Sequence, residues 1–358
     1  MSHPLANDLD HILQHTASLW DELRGKRIFM TGGTGFFGCW LLESFAWAND
    51  KLGLQASAWV LTRDPEAFRL KAPHLANHPA IRFHVGDVRS FEFPVGEFSH
   101  IIHAATETNV KLDNPSPLLT FDSNVEGTKH TLEFARAAGV HKFLLTSSGA
   151  VYGKQPSEIT HIPENYTGAP ETVDTLAAYG HGKRAAEFLC AAYAERYSIE
   201  AKLARCFAFV GPYLPLNSGF AVGNFIRDAM QGGPIHIHGD GTPYRSYLYA
   251  ADLAIWLWTI LFQGKSCRPY NVGSEADLTV KDLARTVAHA YPRVEVQIAR
   301  QPTPGKPADR YVPSTKRAQV ELGLRAIIGL PDAIKRTVDW HWTTSHQGWQ
   351  PANRLGNS

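Results

Sequence analysis

A short apolar run, Arg27-Ile28-Phe29-Met30-Thr31, meets Gly32-Gly33-Thr34-Gly35-Phe36-Phe37-Gly38 without an intervening residue, and an apolar helical pattern follows through Trp47. Few folds accept so many glycines between a strand and a helix. Gly33, Gly35 and Gly38 satisfy G-x-G-x-x-G in the order strand, tight turn, helix start. Glycine lets the backbone approach a pyrophosphate, while free amides and the helix dipole attract its charge. The spacing therefore predicts a dinucleotide-binding turn and, behind it, an α/β chain.

The rest of the first half alternates accordingly. Residues 56–61, 81–85, 100–103 and 142–148 read as further short strands, with a helical pattern after Pro115 and Pro117 that runs to Ala138. The second strand ends in Thr62-Arg63-Asp64, where a dinucleotide fold places its ribose selector. A hydroxyl and a guanidinium favour the 2′-phosphate of NADP, and Asp64 leaves NAD open. Gly86-Asp87-Val88 lies at the carboxyl end of the third strand, where Asp87 can accept from adenine or simply form a turn. His103-Ala104-Ala105 supplies small residues beside a cofactor backbone.

Two later features carry chemistry. Ser148 ends the fifth strand ahead of Gly149-Ala150-Val151-Tyr152-Gly153, so its hydroxyl can point into the same cleft. About one helical turn separates Tyr179 from Lys183, which places an ammonium beside a phenol and favours the phenolate. Such a pair can relay a proton near neutral pH.

Composition narrows the partners. Across 358 residues, 35 basic and 34 acidic side chains leave a net charge of +1 with no long block of one sign, which gives no electrostatic case for nucleic acid or an anionic membrane. With 44% hydrophobic residues the chain can bury a large core. Cys39, Cys190, Cys206 and Cys267 show no Cys-x-x-Cys spacing and sit in apolar surroundings, as reduced, buried thiols do. The polar start of the chain and the lack of an 18-residue apolar run predict a cytoplasmic protein with neither export signal nor membrane span. No metal site is expected: His236-x-His238 has no further ligands nearby, and His15, His74, His78 and His289 read as isolated.

Together these residues resemble the extended short-chain dehydrogenase/reductase family, in its branch of nucleotide-sugar epimerases, 4,6-dehydratases and 4-ketoreductases. The resemblance rests on Thr31-Gly32-x-x-Gly35-x-x-Gly38, His103-Ala104-Ala105, Asn124-Val125-x-Gly127-Thr128, Ser147-Ser148-x-x-Val151-Tyr152-Gly153, and Tyr179 with Lys183, and it covers almost the whole chain. It implies a Rossmann-type doubly wound parallel sheet with a smaller, discontinuous C-terminal substrate-binding lobe. The expected division is an N-terminal helix over residues 1–25, a cofactor domain mainly over 26–207, and a nucleotide-sugar lobe mainly over 208–358, with some of its segments returning to the Rossmann sheet.

The resemblance also implies roles. Gly32, Gly33, Thr34, Gly35, Phe36, Phe37, Gly38, Thr62, Arg63, Asp87, Val88, Ala104, Ala105, Asn124, Tyr179 and Lys183 would hold NADP, or NAD. Ser148, Asn224, Arg245 and Arg310 would hold a nucleotide-diphosphate sugar. Tyr179 would move the proton on the sugar C4 oxygen, with Ser148 hydrogen-bonded to that oxygen and Lys183 on the nicotinamide ribose. A homodimer is the usual assembly of the branch. Dehydratases of this branch carry an acid pair directly after the serine, and here those positions are Gly149 and Ala150. NADPH-dependent reduction of a nucleotide 4-keto-6-deoxyhexose is therefore the leading expectation. A 4-epimerase with retained NAD(P) is the alternative, ahead of a 4,6-dehydratase. A non-enzymatic cofactor-binding protein is disfavoured because all three acid/base residues are present.

Overall fold

The computed structural model describes residues 3–106, 116–217, 219–291 and 294–346. Pro115 and the tail beyond residue 346 lie outside them. The first half runs α1 (Ala6–Thr16), β1 (Arg27–Thr31), α2 (Phe36–Leu52), β2 (Ser57–Thr62), α3 (Pro65–Lys71), α4 (Pro73–Ala76), β3 (Ile81–Val85) and β4 (His100–His103). It continues with α5 (Pro117–Ala137), β5 (Lys142–Ser148), α6 (Ala178–Arg196) and β6 (Glu200–Cys206). The second half holds β7 (Phe209–Val210), α7 (Ala221–Met230), β8 (Ile235–Ile237), β9 (Tyr244–Ser246), β10 (Leu248–Tyr249) and α8 (Ala250–Gln263). After these come β11 (Pro269–Val272), β12 (Asp277–Thr279), α9 (Val280–His289), β13 (Val296–Ile298), β14 (Arg310–Tyr311), α10 (Lys316–Leu322) and α11 (Leu330–His346).

Seven strands form one parallel sheet in the order β11-β6-β5-β4-β1-β2-β3. Its strands are apolar on both faces because helices cover both. In β1 the alternation sends Ile28 and Met30 into a core shared with α1, α2 and α8, whereas Phe29 enters a second core with Phe98, Leu132, Phe134 and Phe143 under α5 and α6. The chain order reverses between β1 and β4, so the crevice of a doubly wound sheet opens at their carboxyl ends.

Three local predictions shift. The N-terminal segment is α1 followed by a 3-10 segment (Ala17–Leu23) in place of one helix. Helix α2 continues past Trp47 to Leu52, where Gly53 takes φ 57 and stops it. Cys39, Cys190 and Cys206 are buried, but Cys267 is exposed.

The second half sends a strand back to this sheet. Strand β11 returns to the sheet beside β6, and α8 packs fully buried against it. Short sheets of β12-β9-β14 and of β13-β8 extend from the carboxyl end. Asp252, at the start of α8, accepts from the Ile327 and Ile328 amides at 2.9 Å each and faces His11 of α1 at 3.4 Å, so its role is to tie three segments together.

Candidate active site

The glycine turn is built by contacts that admit no side chain. Gly32 has φ +70, and a Cβ there would fall 2.5 Å from the backbone of Ala104 at the end of β4. A Cβ on Gly38 would sit inside the Gly33 backbone, and one on Gly33 would reach 2.6 Å from Val60 of β2. Gly35 differs, since a Cβ on it would meet only the Gly32 oxygen, at 3.3 Å. The open side of Gly35, next to the free amides that start α2, is a cradle that fits a pyrophosphate.

Beneath the turn, a hydrogen-bond chain crosses the switch point. Thr31 Oγ1 lies 2.8 Å from His103 Nδ1, and His103 Nε2 lies 3.1 Å from Thr128 Oγ1. Thr128 gives its own proton to the Asn124 carbonyl at 2.6 Å, so it must accept from Nε2–H, and Thr31 then donates to Nδ1. Thr31 also accepts from the Ala105 amide at 3.1 Å. Burial, with the charge of Lys183, pushes the His103 pKa down to about 3. A neutral imidazole thus joins β1, β4 and α5.

The cofactor candidates separate on inspection. Thr62 Oγ1 accepts from the Asp64 amide at 3.2 Å, and Asp64 caps α3 by accepting from Ala67 N at 2.9 Å. One Asp64 oxygen is therefore engaged in capping its helix, beside Thr62 and Arg63. The Asp87 carboxylate is held by Arg89 at 2.8 Å, and that bond keeps it below the usual range. Val88 packs on Gly127 of α5. Asn124 donates to the Thr120 carbonyl at 2.8 Å and accepts from Thr106 at 3.1 Å. Gly182 explains itself at this place, since a Cβ there would come within 2.9 Å of Asn124 Cβ. Its absence lets α6 press on α5.

Ser148, Tyr179 and Lys183 converge at the end of β5. Ser148 Oγ accepts from the Ala150 amide at 3.1 Å, which leaves its proton free to point into the cleft. The buried Lys183 donates from Nζ to the Thr146 carbonyl at 3.0 Å and stands 5.7 Å from the centre of the Tyr179 ring. Burial pushes Lys183 down to about 8. It also pushes Tyr179 up to about 12, although the Ser148 and Thr106 hydroxyls act in the opposite direction. The sequence predicts a phenolate favoured by the nearby ammonium. Burial is the largest influence on Tyr179 here, and it favours the protonated phenol.

Behind the pair, Glu187 lies one turn past Lys183 and accepts from Ser147 at 2.5 Å and from Arg205 at 2.7 Å. Arg205 in turn donates to Tyr152 at 3.0 Å, and Tyr152 donates to Asn271 at 2.7 Å. This network fixes β5, β6, β11 and α6 as one unit. Its i+4 spacing from Lys183 was the available sequence signal.

Of the substrate candidates, Arg245 and Arg310 lie on the paired strands β9 and β14, and Asn224 lies on α7. Arg245 of β9 bonds its own neighbour, the Tyr244 carbonyl, at 2.7 Å. Asn224 of α7 accepts from Arg227 at 3.4 Å. Arg310 is paired with Asp277 at 2.7 Å and stacks over Tyr244 at 4.0 Å, so part of its charge is neutralised before any phosphate arrives. Sequence reasoning stopped at Arg310 and passed over Tyr311, whose hydroxyl lies 3.4 Å from Ser148 Oγ.

Away from the cleft, His74 is not isolated. Its Nε2 lies 2.8 Å from the buried Glu43 of α2, which also meets His3 Nε2 at 3.2 Å and accepts from Tyr213 at 2.5 Å. These hydrogen bonds hold the Glu43 carboxyl down to about 2 against its burial. The three side chains have metal-ligand spacing. His3 Nδ1, however, accepts from the Leu5 amide at 3.2 Å, which places its proton on Nε2, the atom a metal would need. The cluster is a hydrogen-bonded tie between α2, α4 and the N-terminal segment.

Comparison with known proteins agrees with this geometry. The chain is 30% identical over 296 residues to UDP-glucuronic acid decarboxylase 5 of Arabidopsis thaliana, covering 82% of this chain and 83% of that one. Among solved structures, a dTDP-glucose 4,6-dehydratase from Streptomyces venezuelae with NAD and TYD bound matches with a TM-score of 0.75 at 24% identity, over 91% of this chain and all of that one. UDP-glucose 4-epimerase of Thermus thermophilus, in complex with NAD, matches with a TM-score of 0.70 at 26% identity, over 88% and 98% of the two chains. A family model described as the NAD dependent epimerase/dehydratase family matches residues 28–273, which span β1, the glycine turn, Ser148, Tyr179, Lys183 and β11; the chain belongs to that family.

Proposed function

We propose that this protein transfers hydride at C4 of a nucleotide-diphosphate sugar, using NADP(H), and that its reaction is the reduction of a nucleotide-linked 4-keto-6-deoxyhexose. The observation that carries this reading is a reaction centre made of hydroxyls. Tyr179 is held as a phenol next to Ser148 and Thr106, and glycine and alanine occupy positions 149 and 150. Reduction of a ketone needs a proton donor beside the oxygen, which a protonated Tyr179 is. Elimination of water needs an acid and a base on the neighbouring carbons, and Gly149 and Ala150 supply neither.

In this reading Ser148 orients the carbonyl oxygen, because its own acceptor site is taken by the Ala150 amide. Tyr179 gives its proton to the oxygen as charge develops there. Lys183 lies on the nicotinamide ribose side and feeds positive potential to the resulting phenolate. When bound, the nicotinamide supplies the hydride. Gly32, Gly33, Thr34, Gly35, Phe36, Phe37 and Gly38 would hold the pyrophosphate, Ala104, Ala105, Val88 and Asn124 the cofactor's flank, and Thr62 with Arg63 a 2′-phosphate. Asn224, Arg245 and Arg310 would hold the substrate diphosphate. Assembly as a homodimer through α5 and α6 belongs to the same proposal. It is supported by Leu118 and Phe188, which are 75% and 70% exposed on those helices. Three buried free thiols, and described helices none of which is long and apolar enough to cross a membrane, fit a cytoplasmic setting.

Purified protein incubated with NADPH and a panel of nucleotide 4-keto-6-deoxy sugars tests it. Consumption of one NADPH per sugar is the expected result, and sugar interconversion without net consumption makes the protein a 4-epimerase. Decarboxylation is the second reading, favoured by the names of the curated relatives. Release of carbon dioxide from UDP-glucuronic acid in the same assay would replace the reductase with it.

A further inference from the structure

Tyr311 stands where a substrate must pass. In β14 it is in register with Arg245 of β9, and its ring packs on Phe207 with centroids 4.7 Å apart. Its hydroxyl reaches Ser148 Oγ at 3.4 Å. A sugar joining a diphosphate near Arg245 to the proton donor Tyr179 has to cross the short space between them, and Tyr311 lines it. The same residue accounts for Gly149. A Cβ at position 149 would fall 2.8 Å from the Tyr311 hydroxyl and 2.7 Å from the Phe207 ring. The glycine and the tyrosine are two halves of one arrangement: where a side chain at 149 could project, a phenol from more than 160 residues away projects instead.

We propose that Tyr311 is a substrate-touching residue that hydrogen-bonds the sugar's C4 oxygen together with Ser148, and that Gly149 exists to admit it. This rests on the proposed nucleotide-sugar function. Burial pushes the Tyr311 pKa well up, and the neighbouring Tyr179 adds to the shift. The group therefore acts as a neutral donor and cannot serve as the base of an elimination.

The test uses the full-length protein loaded with NAD+ or NADP+ and made inert by Tyr179→Phe, so that binding is read without turnover. Calorimetry measures UDP, dTDP, UDP-glucose and dTDP-glucose. Adding Tyr311→Phe is expected to weaken the preferred nucleotide sugar about fivefold, the effect of one neutral hydrogen bond, and to leave the matching bare diphosphate within twofold. Gly149→Ala is expected to produce the same selective loss, and the two changes together no more than Gly149→Ala alone, because the added methyl already displaces the phenol. An equal loss for sugar and bare diphosphate, no loss for either, or additive losses would overturn the proposal while leaving the reductase intact. A protein that binds the bare diphosphates and neither nucleotide sugar would overturn Tyr311's role and the nucleotide-sugar reading together. Thermal midpoints of the variants within a few degrees of the parent confirm that folding is unchanged.

Discussion

The two walls of the cleft are made differently. The wall proposed for the cofactor starts from a local piece: Thr31, the glycine turn and the start of α2 are consecutive in sequence, and the turn presses backbone against backbone on Ala104. The sugar wall joins Ser148 and Gly149 to Phe207 and Tyr311, residues that only the packing of β14 and β9 brings together. In the first wall, a Cβ on Gly32 or Gly38 would run into backbone. In the second, a Cβ on Gly149 would run into the side chains of Phe207 and Tyr311, which a substitution can change while leaving the sheet backbone in place. That division fits a family in which one cofactor site serves many sugars.

The comparison predicts where changes hurt most. Tyr179→Phe, at the junction of the walls, should lower kcat about 10^3-fold, as loss of a general acid does, with cofactor binding still measurable by fluorescence titration; unchanged turnover would remove Tyr179 from the reaction. On the rigid wall, Gly32→Ala should lose about 3 kcal/mol of stability in denaturant unfolding, from a side chain forced into a left-handed conformation and a backbone clash. If that variant is as stable as the parent, the wall is not rigid. At the outer end of the same wall, Arg63→Ala should weaken NADPH by about 2 kcal/mol, roughly 30-fold, and leave NADH nearly unchanged. Equal weakening of both would assign the protein to NAD.

The smallest effect is a pH dependence confined to the cofactor wall. His103 is held neutral, with its folded pKa near 3, below the usual value of 6.5. The unfolded chain binds the proton first, so the stability from the neutral imidazole is complete above pH 6.5 and falls as pH drops toward 3. Between pH 6.5 and 5.5 the native protein should lose about 1 kcal/mol more than His103→Gln does in urea unfolding. Parallel losses would show that His103 is not buried neutral.

Much of this was legible beforehand. The strands at residues 27–31, 81–85, 100–103 and 142–148 have the predicted bounds; three of them are short runs buried on both faces, which leave little choice of register, and the fourth, 81–85, is the half-exposed edge of the sheet. Ser148, Tyr179 and Lys183 were legible from spacing, since helix geometry alone places Tyr179 and Lys183 on one face. Other parts were hidden for physical reasons. His103 looked like a bystander to two alanines, and only the pairing of β1 with β4 sets it between Thr31 and Thr128. The upward push on the Tyr179 pKa was hidden because spacing reports a neighbour's charge and says nothing of the water removed around it.

The sequence by itself determined the strands of the first half, the glycine turn between β1 and α2, and the shared helix face of Tyr179 and Lys183, all of which follow from local periodicity and from glycine's missing side chain. Tertiary structure alone decided the protonation state of Tyr179, the tie made by His3, Glu43 and His74, and the meeting of Tyr311 with Gly149. Burial and long-range contact are properties of the packed chain, and no local pattern encodes which distant side chain will fill the space that a glycine leaves.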